Sequence, residues 1–350
     1  MSLRELNKMT EKEVDILNQI TEGFRGCIFI QKEGKTLFSK SYGYAHLADK
    51  IENTIETKFA TASAGKVFVA VGILSLIEQG KLSFQSKIKD FLKFDLQKID
   101  PQITILQLLT HTSGIPDYFD ESIMEEYEEL WIDFPNYKIR KNEDLLSLFI
   151  QKPMMYEKGE KFQYNNTGYV ILAMIVEAIQ EKTFDLFLNK TIFQPCKMKS
   201  TGYFELDMLP DKCAQNYIYD EKRNGYRTNI YSVDVKGTGA GGVFTTILDI
   251  ELFWKNLLAG NLISKTMLEE MLKKQVQVSA NDNTAGYGYG VWTRMFKELH
   301  TINFQGSDPG VSFYSEYCME EESIITVVSN YGDDVWKLMR ELRENLYQQE

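Results

Sequence analysis

Histidine is scarce in this chain of 350 residues: His46, His111 and His300 are the full set, and no two stand at a metal-ligand spacing. A zinc site is therefore not expected, and no motif calls for another cofactor. Cysteine is equally sparse. Cys27, Cys196, Cys213 and Cys318 are scattered and form no C-x-x-C pair. A chain of this length buries a core that needs no disulfide staples, so free, packed thiols are expected. Positive charge is also short, with 39 basic against 50 acidic residues and a net charge of −11. That balance argues against nucleic acid as a partner, because phosphate binding requires clustered Lys and Arg. It does not favour an anionic membrane surface either. Long apolar runs are missing too. The longest, Val67–Ile77, falls short of the roughly 20 residues that cross a bilayer, so no membrane span is expected.

The N-terminus lacks an apolar signal core and reads as a helix, with Thr10 and Glu13 as a capping box ahead of Val14, Leu17 and Ile20. As it stands the chain reads as cytoplasmic. A signal peptide removed upstream of the leading Met-Ser-Leu would make it an exported protein. Residues 26–44 read as a hairpin, CIFIQ and TLFSKSYGYA flanking a KEGK turn. A helix follows from about Ala62 to Gln79, closed by Gly80. Its apolar positions lie all round, the mark of a helix buried on every side.

From Ser86 to about Lys199 the pattern is mainly helical (ITILQLLTHTSG, NEDLLSLFIQ, TGYVILAMIVEAIQ), with Pro153 and Pro195 as breakers. Another helix begins at Thr246, with Asp249 completing a T-x-x-D box. Beyond Gly286 the period switches to two, predicting three or four antiparallel strands before a final helix in WKLMRELRENLY. The expected fold is α/β in an α+β arrangement. An antiparallel sheet built from both chain ends is flanked by helices and carries an inserted helical subdomain. The expected division is an N-terminal helix over 1–24, a sheet subdomain over 25–85 and 240–350, and a helical subdomain over 86–239.

Two short motifs carry chemistry. Ser63-Ala64-Gly65-Lys66 opens the buried helix, and residues i and i+3 share a face, so the amine lies beside the hydroxyl. A desolvated lysine can help remove the serine proton, and a helix N-terminus favours developing negative charge. The bland alternative is a serine in a helix N-cap region. Ser86 and Lys89 repeat the spacing in a polar turn, so position decides, and only Ser63 opens a helix buried all round. The second motif is Tyr164-Asn165-Asn166, between Gly159 and a helix at Gly168. A tyrosine against the Ser/Lys pair can act as general base and then acid, and Asn166 could hold a substrate amide. The alternative is an ordinary loop tyrosine.

These motifs, with LLTHTSGIPDY (Leu108–Tyr118), YEKGEKFQYNNTGY, IFQPCKMKSTGY and GAGGVFTT in order, resemble the class C β-lactamases and their relatives. Those relatives include low-molecular-mass penicillin-binding proteins, D-aminopeptidases and esterases. The resemblance covers about residues 25–330. It implies Ser63 as nucleophile, Lys66 as its activator, Tyr164 as acid/base and Asn166 as a substrate ligand. It also implies an oxyanion hole from the backbone N–H groups of Ser63 and Ser307. The family's K-T-G or H-x-G strand reads Phe304-Gln305-Gly306 here. Gly306 leaves room for substrate, whereas Phe304 replaces a cation that would meet a substrate carboxylate. Phe304 is therefore expected to wall the site and to favour neutral acyl groups. His300, four residues earlier, could not replace Phe304 without a register slip that also moves the glycine.

Several features keep two readings. His111 is a structural histidine or a proton relay, and Gly239, Gly241 and Gly242 allow close backbone approach or merely form a turn. Asp120–Glu129 is a solvated acidic face, or a rim that repels anions. Tyr217, Tyr219, Tyr226 and Tyr231 pack on the surface or overhang the site. The function expected is a serine hydrolase working through an acyl-enzyme on Ser63, acting on a small-molecule ester, amide or peptide. Esterase, D-amino-acid peptidase and weak β-lactamase stay open, and the alternative is a catalytically weak ligand-binding or sensor protein.

Overall fold

The computed structural model describes residues 11–347. Helix α1 (Glu11–Ile20) leads into strands β1 (Gly26–Lys32) and β2 (Lys35–Tyr42). The expected cap at Thr10 lies outside the described residues. Three long helices follow in the middle of the chain: α2 (Lys66–Glu78), α3 (Asn166–Gln180) and α4 (Ile247–Leu258). The C-terminal third supplies β3 (Val276–Gln277), β4 (Ala285–Tyr287), β5 (Trp292–Phe296), β6 (Leu299–Asp308), β7 (Val311–Cys318) and β8 (Ser323–Ser329). Helix α5 (Val335–Leu346) closes the fold. One antiparallel sheet runs β2-β1-β8-β7-β6-β5-β4-β3, so strands from the two chain ends meet at β1 and β8. That is the sheet expected from the periodicity.

Side chains alternate between the two faces of a strand, and here each face has its own core. Phe29, Phe313 and Val328 point toward α2 and α4, while Ile28, Ile30, Tyr314 and Val327 point toward α5. Because both faces are covered, β8 is buried along its whole length and its sequence, SIITVVS, shows no polar alternation.

Helix α2 lies inside the larger core, with every residue from Lys66 to Leu76 buried. Phe68 meets Phe193 and Phe253 edge-on at ring separations of 5.2 and 4.8 Å. Gly72 sits where a Cβ would come within 2.9 Å of Leu188 Cδ2, so its missing side chain sets the approach of the helical turn at Phe184–Leu188.

The middle segment is less regular than expected. NEDLLSLFIQ forms 3-10 turns over Asn142–Leu148 instead of an α-helix. Asn142 is committed to tertiary bonds: its Nδ2 donates to Glu177 Oε1 at 3.1 Å, and its Oδ1 accepts from Gly239 N–H at 2.8 Å. The T-x-x-D box is half formed. Thr246 Oγ1 accepts from Asp249 N–H, but the Asp249 carboxylate reaches across to Ser200 N–H and Thr201 Oγ1, both at 2.8 Å.

Helix α5 is tied to the sheet by a buried ion pair. Arg343 Nε and Nη2 donate to the two oxygens of Glu316 at 2.7 and 2.6 Å, with side-chain exposures of 6% and 0%. Removing one partner of such a pair leaves an uncompensated buried charge. Arg343→Met is therefore expected to cost about 3–5 kcal/mol in urea denaturation. The double variant Arg343→Met/Glu316→Leu should recover most of that loss. An unchanged midpoint for the single variant would show that the pair carries no structural weight.

Candidate active site

The chain enters the site from a short strand, Phe59–Ala60, paired with Phe244–Thr245. Thr61 N–H and Oγ1 both donate to Val243 O, at 3.0 and 2.9 Å. Ala62 then takes a left-handed conformation, with φ of 49°. This turns the chain abruptly into the 3-10 segment Ala62–Gly65 and on into α2. Ser63 therefore sits on the tight turn, and Lys66 is the first residue of the α-helix. Two glycines make room for the turn. A Cβ at Gly241 would lie 2.3 Å from Ala62 O, and one at Gly306 would lie 2.6 Å from Ser63 N. Gly239 is pressed on Tyr169 O in the same way, at 2.3 Å. The glycine run at 239–242 is thus a close-approach device behind the serine.

Lys66 is 2% exposed, and its Nζ donates to three oxygens: Ser63 Oγ at 2.9 Å, Asn166 Oδ1 at 2.8 Å and Ala240 O at 2.5 Å. Burial pushes its pKa down to about 8, opposed by the carboxylates of Glu121, Asp117 and Asp308. The Tyr164 hydroxyl hydrogen-bonds with Ser63, while burial holds the phenol well above its ordinary pKa. Its ring lies 4.9 Å from Lys66 Nζ and is flanked by His111 at 4.5 Å and Trp292 at 5.9 Å. The expected quartet of Ser63, Lys66, Tyr164 and Asn166 is therefore one cluster. Ser86, by contrast, accepts from Ser83 N–H in a separate polar turn.

The segment LLTHTSGIPDY holds that cluster in place. His111 Nδ1 accepts from Asn165 N–H at 3.1 Å, and burial holds the imidazole well below its ordinary pKa, hence neutral. No proton relay runs through this nitrogen, and His111 acts as a clamp. Asp117 was not singled out by spacing. Its carboxylate caps α3, accepting from Asn166 N–H at 2.7 Å and Thr167 N–H at 3.0 Å. A carboxylate on a helix N-terminus complements the macrodipole. Burial still raises its pKa to about 6, against those hydrogen bonds.

Ser63, Tyr164, Asn166, Gly306 and Ser307 line one cavity of about 970 Å³. Strand β6 pairs with β5 only as far as Asn303, so its edge beyond that residue has no partner strand, and residues 305–308 line the cavity there. An unpaired strand edge of this kind can take an extended substrate. Gln305 lines it, held by Trp336 Nε1 at 2.6 Å.

Phe304 does not wall the site. Its side chain is 2% exposed and packs within the core, stacked on Trp254 at 5.2 Å and on Phe313 at 6.1 Å, with Phe253 edge-on at 5.8 Å. Alternation puts residues 304 and 306 on one face of β6. That face meets the Ser63 turn at Gly306 but α4 at Phe304. The expectation that Phe304 receives the acyl group is corrected accordingly. His300 lies outside the cavity, exposed and bonded to Glu320.

The cavity wall is acidic. Glu121, Glu125 and Glu126 of the acidic stretch line it, together with Asp234 and Asp308, and among the described residues no Lys, Arg or His does. The loop after Cys213 contributes Asn216, Asn229 and 233–235, while its tyrosines at 217, 219, 226 and 231 do not reach the cavity.

A family model described as Beta-lactamase matches residues 18–346. The chain is 28% identical over 326 residues to Penicillin-binding protein 4* of Bacillus subtilis (strain 168), covering 89% of this chain and 69% of that protein. Among solved structures it is similar to a penicillin binding protein from Bacillus halodurans. The identity there is 36% and the TM-score 0.88, over 93% of this chain and 99% of that one. D-amino acid amidase from Ochrobactrum anthropi SV3 shares the fold at 21% identity and a TM-score of 0.78, over 96% and 99% of the two chains.

Phe304→Lys would place an unpaired ammonium among aromatic rings. It should lower stability by more than about 3 kcal/mol, while Phe304→Leu should cost about 1–2 kcal/mol. Equal denaturation midpoints for Phe304→Lys and the wild type would mean that the ring lies outside the core.

Proposed function

The chain belongs to the Beta-lactamase family and is a serine hydrolase of that type, and we propose that Ser63 is its nucleophile and forms the acyl-enzyme. The observation that carries this is the buried Lys66 amine at 2.9 Å from Ser63 Oγ. With its pKa lowered to about 8, about a tenth of Lys66 is neutral at pH 7, far more than for an ordinary lysine. The neutral amine has a lone pair to accept the serine proton, whereas the ammonium can only donate. Tyr164 stays a phenol, because burial raises its pKa. It therefore serves as a proton relay between Ser63 and the leaving group.

Ser63 Oγ bonds to the acyl carbon, and the departing alcohol or amine leaves with the proton that Ser63 lost. Water then attacks the ester, returns a proton to Ser63 and releases the acid. The N–H groups of Ser63 and Ser307 are suited to the developing oxyanion, since Gly306 brings the strand against the Ser63 turn. Asn166 bonds to Lys66 and borders the cavity, which suits it to orient both amine and substrate. A purely ligand-binding protein would have no use for a cation buried against a serine. Small esters and amides fit the reading.

Ser63→Ala should abolish labelling by a fluorophosphonate, read by intact mass, and Ser86→Ala should not. The opposite pattern would refute the assignment. Lys66→Ala and Tyr164→Phe should each slow acylation by about 10²–10⁴-fold, and the double variant should be little worse than either single. Fully additive losses would show that the two side chains act independently. Acylation by wild type should rise as pH climbs through about 8 and then level off, because Lys66 is an ammonium below that point and an amine above it. A rate that falls over this range would exclude the neutral amine as base.

A further inference from the structure

The acidic stretch Asp120–Glu129 takes no part in the chemistry, yet it forms one bank of the cavity. It leaves the body of the protein at a fixed point: Tyr118 N–H donates to Thr167 Oγ1 at 2.9 Å, and Asn166 Nδ2 donates to Phe119 O at 3.3 Å. Asp120 then turns the chain, its Oδ1 accepting from Ser122 N–H and its backbone O from the N–H groups of Ile123 and Met124. From Glu121 to Glu126 every residue lines the cavity. Among the described residues, none of these side chains has a hydrogen bond or ion pair beyond the stretch. Ile123 is 80% exposed. The middle of the stretch is a strap held only at its ends.

The far end of the strap is a seam of two side-chain bonds. Tyr127 OH donates to Asp234 Oδ1 at 3.0 Å, and Arg227 Nη2 donates to Glu128 Oε1 at 2.6 Å. Phe119 and Trp131 meet the Tyr127 ring edge-on, at 4.9 and 5.4 Å. The opposite bank is fixed more firmly. Asn136 Nδ2 donates to Ile230 O at 2.8 Å and to Val233 O at 2.6 Å. Asn229 Nδ2 donates to Pro309 O at 2.9 Å, and Arg227 Nη1 donates to Ser232 Oγ at 3.0 Å. The seam stands at one end of the open β6 edge, because Asp234 is close enough to Asp308 to repel its carboxylate. A chain laid along that edge from Ser307 past Asp308 therefore meets the strap where it is fastened.

We propose that Tyr127 and Glu128 set the size of acyl group this site accepts: by fastening the strap to Asp234 and Arg227 they close the cavity at the Asp308 end of the β6 edge. Short acyl groups are accepted with the seam shut, and long rigid ones only when the strap swings out. The seam rests on the hydrolase reading above, in which the carbonyl oxygen lies between the N–H groups of Ser63 and Ser307. An acyl chain extended from there along the edge reaches the seam, and the departing group is left the rest of the cavity. Opening exchanges two side-chain bonds for bonds to water and breaks none in the middle of the strap. The efficiency toward a long acyl group then scales with the fraction of molecules whose strap is open, whereas a short one is indifferent to it. Tyr127, Glu128 and Arg227 act through the strap and touch no reacting atom.

The test compares 4-nitrophenyl acetate with 4-nitrophenyl 4-biphenylacetate, which share a leaving group and differ in the acyl part. Each kcat/KM is divided by the ester's reactivity toward hydroxide, and the biphenyl-to-acetate ratio is read within each variant, so general damage to folding or acylation cancels. Wild type should favour the acetate by about tenfold or more. Tyr127→Phe keeps the ring between Phe119 and Trp131 and removes only the hydroxyl, and it should raise the ratio by about tenfold. Glu128→Arg sets like charges against each other at the seam and should raise the ratio by about threefold, while Glu128→Arg/Arg227→Glu should bring it back toward wild type. Should Tyr127→Phe not fold, this second pair of variants carries the test alone. Equal normalised rates for the two esters in wild type, a ratio unmoved by Tyr127→Phe or by Glu128→Arg, or a double variant as permissive as Glu128→Arg overturns the seam and leaves the hydrolase intact. Turnover of neither ester, with no adduct on Ser63, overturns the hydrolase reading and the seam with it.

Discussion

Lys66 carries an amine into the interior of the protein, and much of the surrounding architecture answers to that placement. An ammonium removed from water loses several kcal/mol of solvation unless oxygen atoms replace the water. Here three do, from Ser63, Asn166 and Ala240. Each of the three is held by a different part of the chain. Ser63 rides on a turn forced by the positive φ at Ala62. Asn166 is set by Asp117 at the head of α3, and Ala240 belongs to the glycine run that presses on the turn from behind. With its ammonium saturated in this way, Lys66 has no spare donor. Loss of one proton is then enough to change its relation to Ser63 from donor to acceptor.

The same cluster shows what could be read from the chain beforehand. Ser63 and Lys66 are three positions apart at the head of a helix whose apolar residues lie all round, and both facts are local. The strands were legible for a similar reason, since β-branched and aromatic residues crowd β1 and β7. Phe304 was not legible. Along Thr301–Phe304 every residue is buried, so the letters carry no mark of where β6 leaves α4 and comes against the Ser63 turn. Only the register with β5, which ends at Asn303, reveals the change. The acidic wall was hidden differently. Asp234, Asn216 and Asp308 come from loops and a strand end separated by many residues, and no periodicity links them. Asp117 stood in view inside GIPDY, yet capping across a gap of 49 residues leaves no local signature.

Scaffold and cavity therefore point to different levels of function. The shared fold defines the reaction, acyl transfer, and the serine–lysine pair is what we propose carries it. The wall defines which acyl groups can approach. In this chain the ring at Phe304 serves the core, and the side of the cavity beyond Ser63 carries carboxylates in place of a cation. A site of this sign concentrates cationic ligands and repels anionic ones, most strongly where water is thin and the dielectric low.

The account turns on the proton of Lys66, and nuclear magnetic resonance of side-chain-labelled lysine measures it directly. Across a pH titration one lysine signal should move with a midpoint near 8, well below the ordinary value of 10.5, and it should be the signal that vanishes in Lys66→Ala. If the Lys66 signal instead titrates with the surface lysines, the amine is an ordinary exposed-like cation near neutral pH. It could not then accept the proton of Ser63, and the mechanism argued here would be contradicted.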